Sequence, residues 1–200
     1  MVKHKKNPIV VPDGIHEVLL HACCAPCSSA IVEWMLAHDI RPTIFYFNPN
    51  IDPLDEYEIR KEESKRHAAS LGLQWIDGDY DHCQWLSEIK GLENEPERGN
   101  RCLCCFRYRL FATAKKAKEL GLTAFTTTLA SSRWKSIEQI EKAGLAAQEA
   151  VPGTLFLSQN WRKGGLSDRR NQLLKEYGFY NQQYCGCEFS RRNTLKPENV

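Results

Sequence analysis

Two hundred residues with 42% hydrophobic content are enough for one compact domain whose core needs no covalent staples, and no run approaches the roughly 18 apolar residues of a membrane span. A formal net charge of +2 and a pI near 8.0 permit a nucleic-acid partner without requiring one, because dedicated binders commonly exceed a pI of about 9. Nine cysteines in a chain too long for a disulfide-stapled secreted module point instead to metal binding or thiol redox chemistry.

Residues 1–14 read as a flexible arm. Met1 to Lys6 begins like the basic start of a signal peptide, but Pro12-Asp13-Gly14 breaks the apolar residues before a hydrophobic segment forms. A cytoplasmic protein with a single domain over 15–200 and no membrane partner is expected. Glu17–Ala22 reads as a strand and Pro26–His38 as the helix after it, Pro26 suiting a first turn where no backbone N–H is needed. Thr43–Asn48 is a nearly continuous apolar and aromatic run, the pattern of a strand covered on both faces. Leu54–Leu71 reads as a charged helix closed by Gly72, Leu73–Asp77 as a third strand and His82–Ile89 as a short helix, with Cys83 packed beside Trp85 and Leu86. The charged stretch Gly91–Arg101 has no apolar anchor beyond Leu92 and reads as a mobile lid. A helix over Phe106–Leu120, a strand over Ala124–Thr128, a helix near Ser136–Glu149, a short strand Thr154–Leu157 and a helix near Asp168–Tyr177 complete the regular part. Strands alternating with helices through short loops predict an α/β fold: one Rossmann-like domain with an open, mostly parallel sheet flanked by helices and ligands beyond the carboxyl ends of the strands. Neither G-x-x-x-x-G-K-[ST] nor G-x-G-x-x-G occurs, so nucleoside triphosphates and NAD are not indicated.

That strand edge is rich in sulfur. His21-Ala22-Cys23-Cys24-Ala25-Pro26-Cys27-Ser28 puts three thiols in a strand-to-helix turn, where free N–H groups and the helix dipole favour thiolate. Cys102 and Cys105 of Cys102-Leu-Cys104-Cys105 form a C-x-x-C at another helix entrance. With Cys23 and Cys24 they make a four-thiolate set suited to tetrahedral zinc or an iron–sulfur cluster. Cys27, Cys104 and His21 are near enough in sequence to hold a further metal ion. Cys185-Gly186-Cys187 is either a strained, easily reduced disulfide, a pair of metal ligands, or two idle thiols. Thr126-Thr127-Thr128 with Ser131-Ser132 offers donors to a polar ligand or an RNA phosphate. Tyr57, Arg60, Thr127, Arg133, Lys135, Arg162 and Lys163 are candidate substrate or phosphate contacts, and the stretches Arg98–Arg109, with Arg101 and Arg107, and Arg162–Arg170 form a candidate RNA-facing stripe.

The combination HACCAPCS, NPNIDPLDEYEIRKEES, ERGNRCLCCFRYRL, AFTTTLASS and YCGCEFS resembles the QueH-type epoxyqueuosine reductases in register from about Val18 to Ser190. It departs from their usual S-P-x-K at Ser132-Arg133-Trp134-Lys135 and from D-F-[RK]-K at Asn160-Trp161-Arg162-Lys163. The resemblance implies a Rossmann-like domain related to the adenine-nucleotide hydrolase (HUP-like) group. It also implies reduction of epoxyqueuosine to queuosine at the wobble position (34) of tRNA, the last step of that modification. The site it implies is a [4Fe-4S] cluster on Cys23, Cys24, Cys102 and Cys105, with a redox-active Cys185/Cys187 disulfide and room for an adjacent iron ion. The partners implied are tRNA carrying epoxyqueuosine and an electron donor. Converting an epoxide to an alkene takes two electrons and two protons and releases water, which suits a dithiol beside a one-electron centre, with an open iron position as Lewis acid. The competing readings are a zinc-stabilised RNA-binding module without catalysis and a thiol–disulfide oxidoreductase acting on proteins.

Overall fold

The computed structural model describes residues 11–194. Five strands, β1 (Glu17–His21), β2 (Arg41–Tyr46), β3 (Trp75–Asp77), β4 (Ala124–Thr127) and β5 (Leu155–Phe156), form one sheet in the order β3-β2-β1-β4-β5, every pair parallel. Val18, Leu19 and Leu20 of β1 are fully buried, as the unbroken apolar run requires of a central strand covered on both faces. Leu19 to His21 pair with Thr43 to Phe45 of β2 on one side and with Phe125 to Thr127 of β4 on the other. The chain runs outward in one direction through β2 and β3, then returns to start the other direction at β4. The crevice beyond β1 and β4 is therefore the topological switch point, where such sheets bind ligands.

Among the described residues seven α-helices flank the sheet: α1 (Ala25–Leu36), α2 (Leu54–Ser70), α3 (His82–Glu88), α4 (Asn100–Glu119), α5 (Ile137–Ala150), α6 (Leu166–Glu176) and α7 (Glu188–Thr194). α1 packs with α2 and α6, and α4 with α3 and α5. Among the described residues no helix is long and apolar enough to cross a membrane. Of the arm expected over residues 1–14, the part up to residue 10 lies outside the described residues, while Val11 and Ile15 pack against the core.

Three expectations need correction. α4 begins at Asn100, six residues before its apolar period starts, because the Glu95 carboxylate accepts from the Asn100 backbone N–H at 2.9 Å and satisfies one of the free donors of the first turn. The stretch read as a mobile lid is tied down. Arg101 is buried and donates to the carbonyls of Glu93 and Glu95, Arg98 donates to those of Arg133 and Trp134, and Gln139 donates to those of Arg98 and Gly99. Cys83 is exposed rather than packed, since α3 turns Trp85 inward instead.

Gly144 of α5 lies flat against the Phe156 ring, which a Cβ would overlap. Gly144→Ala should lower stability by about 1–3 kcal/mol through overpacking, although alanine is the better helix former. Urea unfolding measures this, and an unchanged midpoint would contradict the close contact.

Candidate metal and thiol centre

β1 ends at His21 and α1 begins at Ala25, with Cys24 as its extended N-cap and Pro26 in its first turn. The intervening turn is fastened to both neighbouring strands. His21 bonds Thr127 Oγ1 at 2.8 Å through Nδ1 and the Phe47 carbonyl at 3.0 Å through Nε2. A carbonyl only accepts, so Nε2 carries the proton and Nδ1 accepts from Thr127. The Cys23 N–H donates to Thr128 Oγ1 at 3.1 Å, and Asn48, just past β2, donates to the Ala22 carbonyl at 2.9 Å.

The turn gathers Cys23, Cys24 and Cys27, all buried, with their sulfurs within 4.8 Å of one another; Cys23 Sγ and Cys24 Sγ are 3.8 Å apart. Thr128 Oγ1 lies 3.3 Å from Cys23 Sγ. The Gln182 amide nitrogen lies 3.1 Å from Cys24 Sγ and 3.7 Å from Cys27 Sγ. Bonds from the other two thiols, with the charges of Arg170 and Lys135, hold Cys27 well below the usual thiol range. Burial, together with its neighbouring thiols, holds Cys24 well above it.

A second thiol group stands across the crevice. Cys102 from the first turn of α4 and Cys185 and Cys187 from the tail line one small cavity with Lys135, Phe106 and Trp134. Cys105 is buried one turn along from Cys102 and feels the charge of Cys185. All nine cysteines are free thiols. Burial pushes Cys102 up to about 12 and Cys187 up to about 11. The structure thus joins Cys27, not Cys102 or Cys105, to Cys23 and Cys24 at the closest range. Cys104 sits apart, directed at the Glu88 carbonyl at 3.2 Å.

Two buried cations face this sulfur. Lys135, 5% exposed, stays above the usual lysine range: burial works against its charge, but the neighbouring sulfurs of Cys185, Cys23 and Cys27 outweigh it. Arg109, 2% exposed, donates to the Asn48 side-chain oxygen and comes to 4.0 Å from Cys105 Sγ. Among the described residues neither has a carboxylate within salt-bridge distance. Buried charge without compensation is costly, so the crevice is built to hold negative charge, and the buried Cys23, Cys24 and Cys27 group is consistent with a metal or cluster site there. The same positive field, after burial itself, pushes His21 down to about 3. A neutral ring with both nitrogens engaged is a clamp between β1 and β4.

The tail is placed by α2. Arg60, 2% exposed, takes both its Nε and Nη2 bonds to Glu56 Oε1 at 2.7 and 2.5 Å. It also donates to the carbonyls of Cys185 at 3.3 Å and Tyr184 at 3.4 Å. Gly186 has φ +134, and a Cβ there would press on Ile51 and Arg60, so the bend between the two cysteines requires glycine.

Several of the expected surface contacts are therefore internal. Tyr57 is buried between Tyr46 and Tyr80, Arg60 and Arg101 hold backbone, Thr127 clamps His21, and Arg109 lies inside. Arg162 is half-buried and braces the carbonyls of Ser132 and Lys135. Arg107 and Lys163 are exposed. Thr128, expected as a donor to a polar ligand or an RNA phosphate, instead holds Cys23; Gln182 was not singled out, and only its place beside the Cys185-Gly186-Cys187 motif could have raised it.

A family model described as epoxyqueuosine reductase QueH matches residues 18–193. The chain belongs to that family. The QueH proteins of Histophilus somni (strain 129Pt) and Haemophilus influenzae are each 45% identical to it, over 199 and 191 residues. Those matches cover 97% and 96% of this chain and 82% and 78% of the relatives. The QueH protein of Thermotoga maritima is 36% identical over 176 residues, 86% of this chain and 89% of that relative. The sheet from Val18 onward, both thiol groups and the Cys185-Gly186-Cys187 tail fall within the QueH match.

Arg60→Met leaves Glu56 buried without its cation, at a cost of about 3 kcal/mol or more, and frees the Tyr184 and Cys185 carbonyls. Cys185 should then react several-fold faster with a thiol reagent while circular dichroism still reports a folded protein. Unchanged reactivity would contradict the anchoring role.

Proposed function

We propose that this QueH-family epoxyqueuosine reductase, which converts epoxyqueuosine to queuosine in tRNA, works from an iron–sulfur centre in the switch-point crevice, acting at the wobble position (34). Cys23, Cys24, Cys102 and Cys105 are its ligands, with Cys27 adjoining. The observation that carries this reading is the pair of buried cations, Lys135 and Arg109, facing clustered thiols, neither of them with a carboxylate within salt-bridge distance among the described residues. The donor set fits: thiolates at two helix starts, both buried or nearly so, are the ligands such clusters take. We take the sheet as a relative of the HUP-like domains, with the cysteine turn standing where those bind phosphate.

The residues of the chain then divide the work. When bound, the centre supplies electrons one at a time. Cys185 and Cys187, as thiols, hold two electrons and two protons. Their oxidation to a disulfide balances the reaction: epoxide plus two thiols gives alkene, water and disulfide. An electron donor of the cytoplasm then restores the dithiol. Burial keeps Cys187 protonated near neutral pH, so a proton is stored beside the site, and the φ of Gly186 brings the two thiols round one bend. Lys135 lies between the two thiol groups and stabilises negative charge on either. Exposed Arg107, Arg133 and Lys163 are the proposed tRNA phosphate contacts.

Replacing both Cys185 and Cys187 by Ser removes the source of the two electrons and two protons, so it should abolish reduction of epoxyqueuosine-tRNA even in a single turnover of prereduced protein, followed as queuosine in digested tRNA. Undiminished turnover would end the relay reading. Binding of the tRNA should weaken steeply with salt, roughly in proportion to the number of phosphates contacted, and Arg107→Gln with Lys163→Gln should flatten that dependence. A slope that does not change would remove those two residues from the interface.

A further inference from the structure

The tail that carries the two cysteines also brings Gln182 to the thiols. Its side chain is 7% exposed and its amide nitrogen reaches Cys24 and Cys27. The NH2 end faces the sulfurs and donates to them, and the carbonyl oxygen points away. That oxygen, Oε1, is buried and among the described residues has no partner. Leaving such an acceptor unmet is costly, and a buried group of this kind in a functional crevice is explained by what comes to meet it.

Gln182 lies in the wall of a cavity of about 380 Å³, together with Cys27, Ser132, Trp134, Asn171 and Asn181. The volume suits one modified nucleoside extruded from an RNA strand, and Trp134 offers a stacking face of the kind such bases use. Cys27 opens into the same cavity, so whatever fills it lies against the thiol centre.

We infer that Gln182 is a specificity-determining residue: its amide nitrogen fixes it to the thiols, and its oxygen accepts a hydrogen bond from a hydroxyl or ammonium group that lies beside the epoxide of the substrate. This rests on the thiol centre being the reductase site. An epoxide oxygen has no hydrogen to give, so it cannot itself satisfy Oε1; the donor has to be a neighbouring group of the same substituent. One side chain therefore touches the electron-supplying sulfurs and the substrate's fixed end, and so sets the direction in which the epoxide faces. A tRNA lacking the substituent leaves Oε1 unmet and is discriminated against on that account.

The test compares binding of epoxyqueuosine-tRNA and of the same tRNA with unmodified guanosine, using the metal-loaded protein without reductant. Wild type should prefer the modified tRNA. Gln182→Met, which keeps the length of the side chain and removes both polar ends, should lose roughly tenfold or more of that preference. Its affinity for the unmodified tRNA should stay the same. Gln182→Glu, which keeps an acceptor, should retain more of the preference than Gln182→Met does. The visible spectrum of each variant is recorded alongside. An altered spectrum with an unchanged preference would overturn the inference, because Gln182 would then serve the thiols alone. Equal binding of the two tRNAs by wild type would overturn the assignment of the cavity itself. Preference in wild type without any reductase turnover would instead count against the redox reading of the thiols, and leave Gln182 as the reader of the substituent.

Discussion

Charge taken out of water has to be met by opposite charge, and in this protein that requirement organises the crevice beyond β1 and β4. Lys135 and Arg109 are buried there beside cysteine sulfur. The penalty for an unpaired buried cation is several kcal/mol, so the thiols and the cations must be present together. His21 shows the reverse side of the same rule. Sealed in the same field, it stays neutral and spends both ring nitrogens on joining β1 to β4 and to the end of β2.

The other parts of the site follow from delivering sulfur to that point. The turn after β1 supplies three thiols because a parallel strand must hand over to a helix at this edge. α4 supplies Cys102 and Cys105 because Glu95 starts the helix early enough to include them. The tail supplies Cys185 and Cys187 because Arg60 of α2, held in a buried ion pair with Glu56, donates to its carbonyls. Tyr180 adds a bond from its hydroxyl to Glu56 Oε2 at 2.7 Å. Basic side chains that in another protein would face RNA phosphates are thus drawn inside to hold backbone.

The strand and helix pattern was legible because the parallel sheet is written in unbroken apolar runs, Val18 to Leu20 and Ile44 to Phe47 above all, separated by helices with glycine stops. The cysteine motifs marked the site edge, and glycine between Cys185 and Cys187 marked the bend. What could not be read was long-range partnership. Nothing local to Arg60 or Arg101 distinguishes a guanidinium that grips carbonyls across more than a hundred residues, or within its own loop, from one that waits at the surface. Cys83 misled for the same reason, since Trp85 and not its neighbour takes the inward face of α3. α7 was too short, with one buried aromatic, Phe189, over Arg101, to give a period.

The proposed iron–sulfur centre in the crevice is what the thiols and buried cations have in common. Anaerobic purification, followed by iron, sulfide and zinc analysis and a visible spectrum before and after dithionite, tests it directly. About four iron and four sulfide per chain, with a broad absorbance that bleaches on reduction, is the predicted result. Stoichiometric zinc without sulfide would contradict it and make the thiols a closed structural site.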